Sequence, residues 1–320
     1  MDTNKNYQIM RIARKYYERN MGQLEIAKEE GISKSTVSRM LQKAMDLGFV
    51  KVTVEYPLES VKELEKQLKN VFHLKDVFVT PNVVDDEEIA LKDTCRAVAD
   101  HLDQYLEDNS VVGVSWGKTM NCLSEYIHHL KVTEIKVVQL NGGVSKHTNP
   151  TGATKIVDAL SAAGKGTGYM FPVPAFVDSK EISDVLKKDS QVRKVLNLAL
   201  EANVTIFSVG ALSRKSILYE VEYLKDEDYQ LLEEKKAVGD IASRFFRIDG
   251  TIADNSLNER VVGLELDNLK EKKYNIGIAV GIQKVDAILG ALAGGYMNVL
   301  YTDEKTAREV LKRLEREPIR

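Results

Sequence analysis

Residues 23–43 read QLEIAKEEGISKSTVSRMLQK, which encodes a short helix, a tight turn and a second helix of a size that fits the DNA major groove. Leu24, Ile26 and Ala27 supply an apolar face to the first helix, and Ala27 is small enough to let the second helix approach. Gly31 sits where a left-handed residue reverses the chain cheaply, and Ile32 follows as a core plug. Ser33 or Ser35 can cap the second helix, whose Val37, Met40, Leu41 and Ala44 recur at helical spacing and face inward. Outward face Ser33, Lys34, Ser35, Thr36, Ser38, Arg39 and Lys43, short hydroxyls and long cations of the kind that contact phosphates and base edges. These seven are the candidate DNA-binding residues. The alternative is a helical hairpin with a merely soluble polar face.

The flanks favour the DNA reading. Upstream, residues 7–17 place Ile9, Ile12, Ala13 and Tyr16 on one helical face, which completes a three-helix unit. Downstream, residues 48–54 (GFVKVTV) alternate apolar and polar after a glycine, as a strand or small wing does. Residues 1–52 hold ten Lys and Arg against six Asp and Glu, a balance of +4, whereas the whole chain carries −3, so the remainder carries −7. A basic head on an acidic body points to a polyanionic partner at the head alone, and double-stranded operator DNA is the partner expected.

At 320 residues and 43% hydrophobic content the chain is long enough for about two domains. It holds no apolar run of about 18 residues and no charged-then-apolar leader, so no membrane is expected and the protein should be cytoplasmic. Cys95 and Cys122 lack metal-ligand spacing and read as two buried reduced thiols; no metal and no cofactor is expected. The expected domains are a winged helix-turn-helix at 1–56, a linker or oligomerisation helix at 57–72, and an effector-binding α/β domain at 73–320. In the middle segment Leu58, Val61, Leu64, Leu68 and Val71 form one helical stripe. It can pack on the body, or pair with its copy in a dimer and so present two heads to two half-sites.

From Val77 onward short apolar runs alternate with helical patterns. Strands are expected over 77–79, 111–114, 135–139, 204–209, 276–280 and 298–302, and helices over 88–109, 118–129, 149–163, 190–202 and 284–293. Such alternation implies a doubly wound, Rossmann-like α/β sheet, in which ligands sit at the carboxyl ends of the strands. The loop Gly113-Val114-Ser115-Trp116-Gly117-Lys118-Thr119 leaves one of these strands and enters a helix. Glycines for close approach, a helix N-terminus and three polar side chains make it an anion cradle suited to phosphate. It is not a nucleotide-triphosphate loop, because three residues rather than four separate Gly113 from Gly117. Trp116 can alternatively be core packing, and the glycines can serve a tight turn alone. A second candidate, Gln139-Leu140-Asn141-Gly142-Gly143, pairs two amides with two glycines and suits sugar hydroxyls, unless it is an amide-capped turn. Gly210 and the Gly-plus-charge turns at Gly239-Asp240-Ile241 and Gly281-Ile282-Gln283-Lys284 complete the set, with Asp240 as hydroxyl acceptor and Lys284 as phosphate partner.

Together the head QLEIAKEEGISKSTVSRML and the stretches GVSWGKTM, VVQLNGG, PVPAF, VGDIASRFF and AVGIQKVDAILGALAGGYMNVLYTDEKTA resemble the SorC family of bacterial transcriptional regulators over nearly the whole chain. The resemblance implies a winged DNA-binding head, an effector domain similar to sugar-phosphate isomerases and glucosamine-phosphate deaminases, and an oligomer, homodimer or homotetramer. It also implies that a phosphorylated sugar alters operator affinity. VGVSWGKTM and VGDIASRFF look closest to deoxyribonucleoside-type members, whose effector is deoxyribose 5-phosphate. Where a lysine in the sugar-facing turn could bind an open-chain aldehyde as an imine, this chain has Asn141, with Lys146 nearby, so reversible hydrogen bonding is expected. The competing reading is a sugar-phosphate isomerase or deaminase carrying an accessory head. It needs a positioned acid and base, and beyond Asp240, Asp254 and Glu265 no paired carboxylate or His constellation is visible.

Overall fold

The computed structural model describes residues 3–50, 59–143, 152–220 and 222–316. The chain divides into two compact units, residues 1–57 and 58–320. The expected wing beyond Val50, Leu58 of the amphipathic stripe, Lys146 and the helix start near Asn149 lie outside the described residues.

The head has three helices, α1 (Thr3–Tyr17), α2 (Gln23–Glu30) and α3 (Lys34–Asp46). Ile9, Ile12 and Ala13 of α1, Ile26 and Ala27 of α2, and Val37, Leu41 and Ala44 of α3 form one buried core. Gly31 ends α2 at φ 64°, returning its N–H to the Ala27 carbonyl, and Ser33 caps α3 by accepting from the Thr36 N–H at 3.2 Å. Leu24 departs from expectation and is 64% exposed. Two residues before Ile26 on a 3.6-residue turn, it points away from the face that α1 and α3 cover. Ile32 and Met40 pack at the edge of the core and are only partly buried.

An ion-pair clamp joins α1 to α2. Arg11 donates to both carboxylate oxygens of Glu30, at 2.9 and 2.6 Å, and Lys15 bridges Glu29 at 2.7 Å and Glu30 at 2.8 Å. The Arg11 hydrogen bonds, helped by Lys15 against the cost of burial, hold the Glu30 carboxyl at about 2. A carboxyl depressed in the folded state contributes stability above its unfolded value near 4.5, and that stability drains as pH falls towards 2. Circular dichroism melts of the intact chain from neutral pH to pH 2 should show the head losing stability across this window. Glu30→Gln should melt earlier at neutral pH and show a flatter acid dependence.

The body opens with α4 (Glu59–Phe72), whose Val61, Leu64 and Leu68 are buried in the body's own core. These three side chains are therefore unavailable for pairing with a second copy, and Val71, at the end of the stripe, is 53% exposed. Along the chain follow β1 (Asp76–Thr80), α5 (Glu87–His101), β2 (Val111–Val114), α6 (Lys118–Tyr126), β3 (Lys136–Gln139), α7 (Ala153–Ala163) and β4 (Thr167–Tyr169). Next come α8 (Lys180–Lys188), α9 (Ser190–Glu201), β5 (Val204–Ser208), β6 (Gly210–Ala211), α10 (Ile217–Glu220), α11 (Asp226–Glu234), β7 (Ala237–Ile241) and β8 (Arg244–Arg247). The last elements are α12 (Asn255–Glu259), β9 (Tyr274–Ile278), α13 (Val285–Ala293), β10 (Val299–Asp303) and α14 (Glu304–Arg316).

Seven strands form a parallel sheet in the order β1-β10-β9-β5-β2-β3-β4. Successive strand residues alternate faces: Val299 and Tyr301 join the core under α5, α6 and α7, while Leu300 joins the core under α4, α9, α13 and α14. Both faces are thus covered, which is why six strands read as apolar runs in the sequence. The seventh, β4, is a three-residue edge strand, TGY, with little burial to mark it.

The second sheet, antiparallel β6-β7-β8, corrects the sequence reading of residues 239–241 as a turn. Gly239, Asp240 and Ile241 lie within β7, and the reversal comes at Ala242 (φ 51°) and Ser243 (φ 69°). A two-residue hairpin turn with both residues left-handed is ordinarily signalled by Asn or Gly, and neither is present here.

Candidate effector site

The carboxyl ends of β2 and β5 and the turn after β9 open onto a cavity of about 610 Å³, closed on one side by the small sheet and by the segment from Ser213 to Leu218. Its floor is the loop from β2 into α6. Gly117, at φ 123° and ψ −175°, takes a backbone conformation that side-chain-bearing residues rarely adopt. That conformation lets α6 begin at Lys118, with its hydrogen-bond ladder starting where the Asn121 N–H meets the Gly117 carbonyl at 2.8 Å. The first-turn amides of α6 have no partner within the helix, and a helix N-terminus attracts anions. Ser115 is buried and accepts from the Ser208 N–H at 3.3 Å, locking the loop to the end of β5.

Three lysines reach the cavity wall. Lys118 Nζ stands 2.5 Å from Glu220 and 3.3 Å from the Lys215 carbonyl, at the exposed mouth; Lys215 lines the same rim. Lys284 lies deep, 3.5 Å from the Ser208 hydroxyl, and burial pushes its ammonium below its ordinary value, opposed chiefly by Asp240. Asp240 is surrounded by protein yet reaches the cavity; burial pushes its carboxyl up to about 6, against the Ser243 N–H at 3.2 Å and Lys284. No direct ion pair joins Asp240 to Lys284 among the described residues, so each remains able to bond a polar ligand. Ser243 also accepts from Asn141 Nδ2 at 2.9 Å, so one hairpin residue orients two wall side chains. Among the described residues the buried Asn141 Oδ1 has no hydrogen-bond partner.

Of the residues named from sequence, Ser115, Trp116, Gly117, Lys118, Thr119, Asn141, Gly210, Asp240 and Lys284 line this one cavity. Four others stand behind it. Gly113 leaves no room for a Cβ, which would sit 2.5 Å from Leu140 Cδ2. Gln139 donates to the Ala153 carbonyl at 3.0 Å and accepts from the Phe171 N–H at 2.8 Å, so its amide ties loops together instead of facing the cavity. A Cβ on Gly142 would meet the Pro174 carbonyl oxygen at 2.4 Å, and one on Gly143 the Ala153 Cβ at 2.6 Å. Trp116 is 8% exposed and does both jobs, packing in a core cluster and donating its indole N–H to the Gly142 carbonyl at 2.8 Å. Sequence reading missed Ser208, Lys215 and Ser243. Only Ser208 had a usable signal, its place at the carboxyl end of a parallel strand.

In the head, Ser33, Lys34, Ser35, Thr36, Ser38, Arg39 and Lys43 all fall on the capping turn or on α3, away from its buried stripe. Arg11, Arg14 and Lys15 are paired with glutamates, whereas among the described residues no carboxylate is in ion-pair range of Lys34, Arg39 or Lys43. The head's uncompensated positive charge is therefore carried in part by α3. Among the described residues no group of His, Cys, Asp and Glu could hold a metal ion, and no helix is long and apolar enough to cross a membrane.

Residues 56–312 match the family model described as "Putative sugar-binding domain". The deoxyribonucleoside regulator of Bacillus subtilis is 33% identical over 314 residues, covering 98% of this chain and all of that protein. The chain belongs to the SorC family of transcriptional regulators. The regulator LsrR of Escherichia coli K12 is 31% identical over 95% of this chain and 94% of its own. The crystal structure of the full-length sorbitol operon regulator SorC from Klebsiella pneumoniae matches with a TM-score of 0.77 at 29% identity, over 97% of this chain and 99% of that one. SorC proteins are transcriptional regulators, and the enzyme reading is set aside.

Proposed function

We propose that this chain is a repressor of a sugar or deoxyribonucleoside catabolic operon, acting in the cytoplasm and released or engaged by a phosphorylated sugar. In this reading α3 enters the major groove of operator DNA, with Arg39, Lys34 and the capping hydroxyls making the contacts. The effector's phosphate lies on the Ser115–Thr119 loop and its hydroxyls meet Asp240, Asn141 and Lys284. The chain acts as a homodimer or homotetramer, because one small head seldom supplies enough specificity; the pairing surface lies elsewhere than the buried stripe of α4. Deoxyribose 5-phosphate is the first effector to test, given the likeness to the deoxyribonucleoside regulator.

The observation that carries this reading is the convergence of a helix N-terminus, three lysines and a buried carboxylate on one cavity of about 610 Å³. A thermal-shift series with phosphorylated pentoses, hexoses and hexitols tests it. At a hundredfold excess over Kd, binding to the folded state alone stabilises by about 2.7 kcal/mol, a rise of roughly 5–10 °C for a body of this size. The double variant Lys118→Ala, Thr119→Ala should keep operator binding and lose both this rise and the effector's influence on DNA, a coupling of about 1–3 kcal/mol. An effector response that survives this change removes the phosphate from that loop.

A further inference from the structure

The two cysteines lie on adjacent helices beside the anion loop. Cys95, on α5, is fully buried, and its thiol reaches the Thr119 carbonyl at 3.7 Å. Cys122 follows Thr119 by three residues, one turn along α6. Cys122 packs against the core cluster that contains Cys95, and the Cys95 thiol meets α6 one turn before it. Cys122 is only half-buried, and interaction with the neighbouring Cys95 thiol pushes its thiol below the ordinary value, while interaction with Cys122 and burial push Cys95 above it. An accessible, more acidic thiol with a buried second thiol against it is the arrangement of an attacking and a resolving cysteine.

We propose that Cys122 and Cys95 form a peroxide-responsive dithiol whose oxidation to a disulfide resets the first turn of α6. The Cys122 thiolate attacks one peroxide oxygen, breaking the O–O bond to give a sulfenic acid and hydroxide, which takes a proton and leaves as water. The Cys95 sulfur then attacks the sulfenic sulfur and loses its proton, and the sulfenic oxygen leaves as a second water. Two thiols and one hydrogen peroxide thus yield one disulfide and two waters. The product ties α5 to α6 and removes the S–H group that meets the Thr119 carbonyl. Thr119 sits in the anion loop, so the consequence for a bound phosphate rests on the function proposed above; the thiol chemistry does not.

The test uses the reduced full-length chain and stoichiometric hydrogen peroxide. Intact mass should fall by two hydrogens, a peptide joining Cys95 to Cys122 should be found, and dithiothreitol should reverse both. Cys95→Ala should stop at a sulfenic acid on Cys122 that dimedone traps, and Cys122→Ser should not oxidise. Hydrogen exchange over residues 115–123, measured without ligand, should differ at least threefold between reduced and oxidised protein. Two thiols that still alkylate after peroxide, or a disulfide that only links separate chains, overturn the dithiol. An intramolecular disulfide that leaves exchange over 115–123 unchanged overturns the coupling to α6. Failure of every sugar phosphate to raise the melting temperature of the reduced protein would count against the proposed effector and leave these results standing.

Discussion

Replacing Arg244 by methionine is expected to destabilise the body by about 3–5 kcal/mol, the range for breaking a buried charged network on one side. The Arg244 side chain is fully buried and holds five acceptors: the carbonyls of Leu264 (2.6 Å), Asn258 (2.9 Å) and Gly263 (3.2 Å), the Asn258 side chain (2.7 Å) and Glu265 (2.7 Å). Burial brings its pKa down to about 10, so the guanidinium stays charged at neutral pH. Methionine matches its bulk and removes all five of these bonds, leaving the Leu264 and Gly263 carbonyls without their guanidinium donor. The damage should reach the cavity, because Gly263 pairs with Asn141 across an isolated bridge and Ser243, next to Arg244, orients Asn141 and Asp240. Urea unfolding should show the lost stability, and thermal shift the lost effector response. Arg244→Lys should fall between wild type and methionine, since one ammonium cannot span five acceptors.

The second large effect is expected in the head. Arg39→Ala should weaken operator binding by about 1–3 kcal/mol, roughly 5–150-fold, and Lys34→Ala should lower the salt slope by about one counterion. Neither should shift the melting temperature, because both side chains are exposed and the hydrogen bond described for Arg39 is a long one, 3.4 Å to the Thr36 hydroxyl. Fluorescence anisotropy on DNA from upstream of the chain's own gene, titrated against salt, reads both quantities. Unchanged affinity and slope would take α3 out of the DNA interface. The effector response of any surviving complex should be normal, which separates this phenotype from that of the Lys118, Thr119 pair.

The elements that could be read from the chain alone share one property, in that local repetition reports their burial. Ile9, Ile12, Val37, Leu41 and Ala44 recur at helical spacing because one face of each helix is covered. Six parallel strands are runs of branched residues because both faces are covered. Where burial leaves no such trace the reading failed, at edge strand β4 and at the Ala242–Ser243 turn. Leu24 failed for the opposite reason, an apolar side chain on an uncovered face.

The site divides along the same line. Strand, glycine and helix start are contiguous at 111–119, so this cavity-lining loop could be picked out from its own residues. Gly113, Gln139 and Gly142 look equally suited to a ligand in sequence, yet each is used in packing, a distinction that depends on neighbours such as Leu140, Ala153 and Pro174. Sequence by itself determined that a basic helix-turn-helix head precedes a doubly wound body with a glycine-bounded strand-to-helix loop, since these follow from spacing and charge within short windows. Only the tertiary structure decided which polar residues share the cavity. Ser115, Asn141, Lys215, Ser243 and Lys284 come together from separate elements, because parallel strands bring their carboxyl ends to one edge of the sheet.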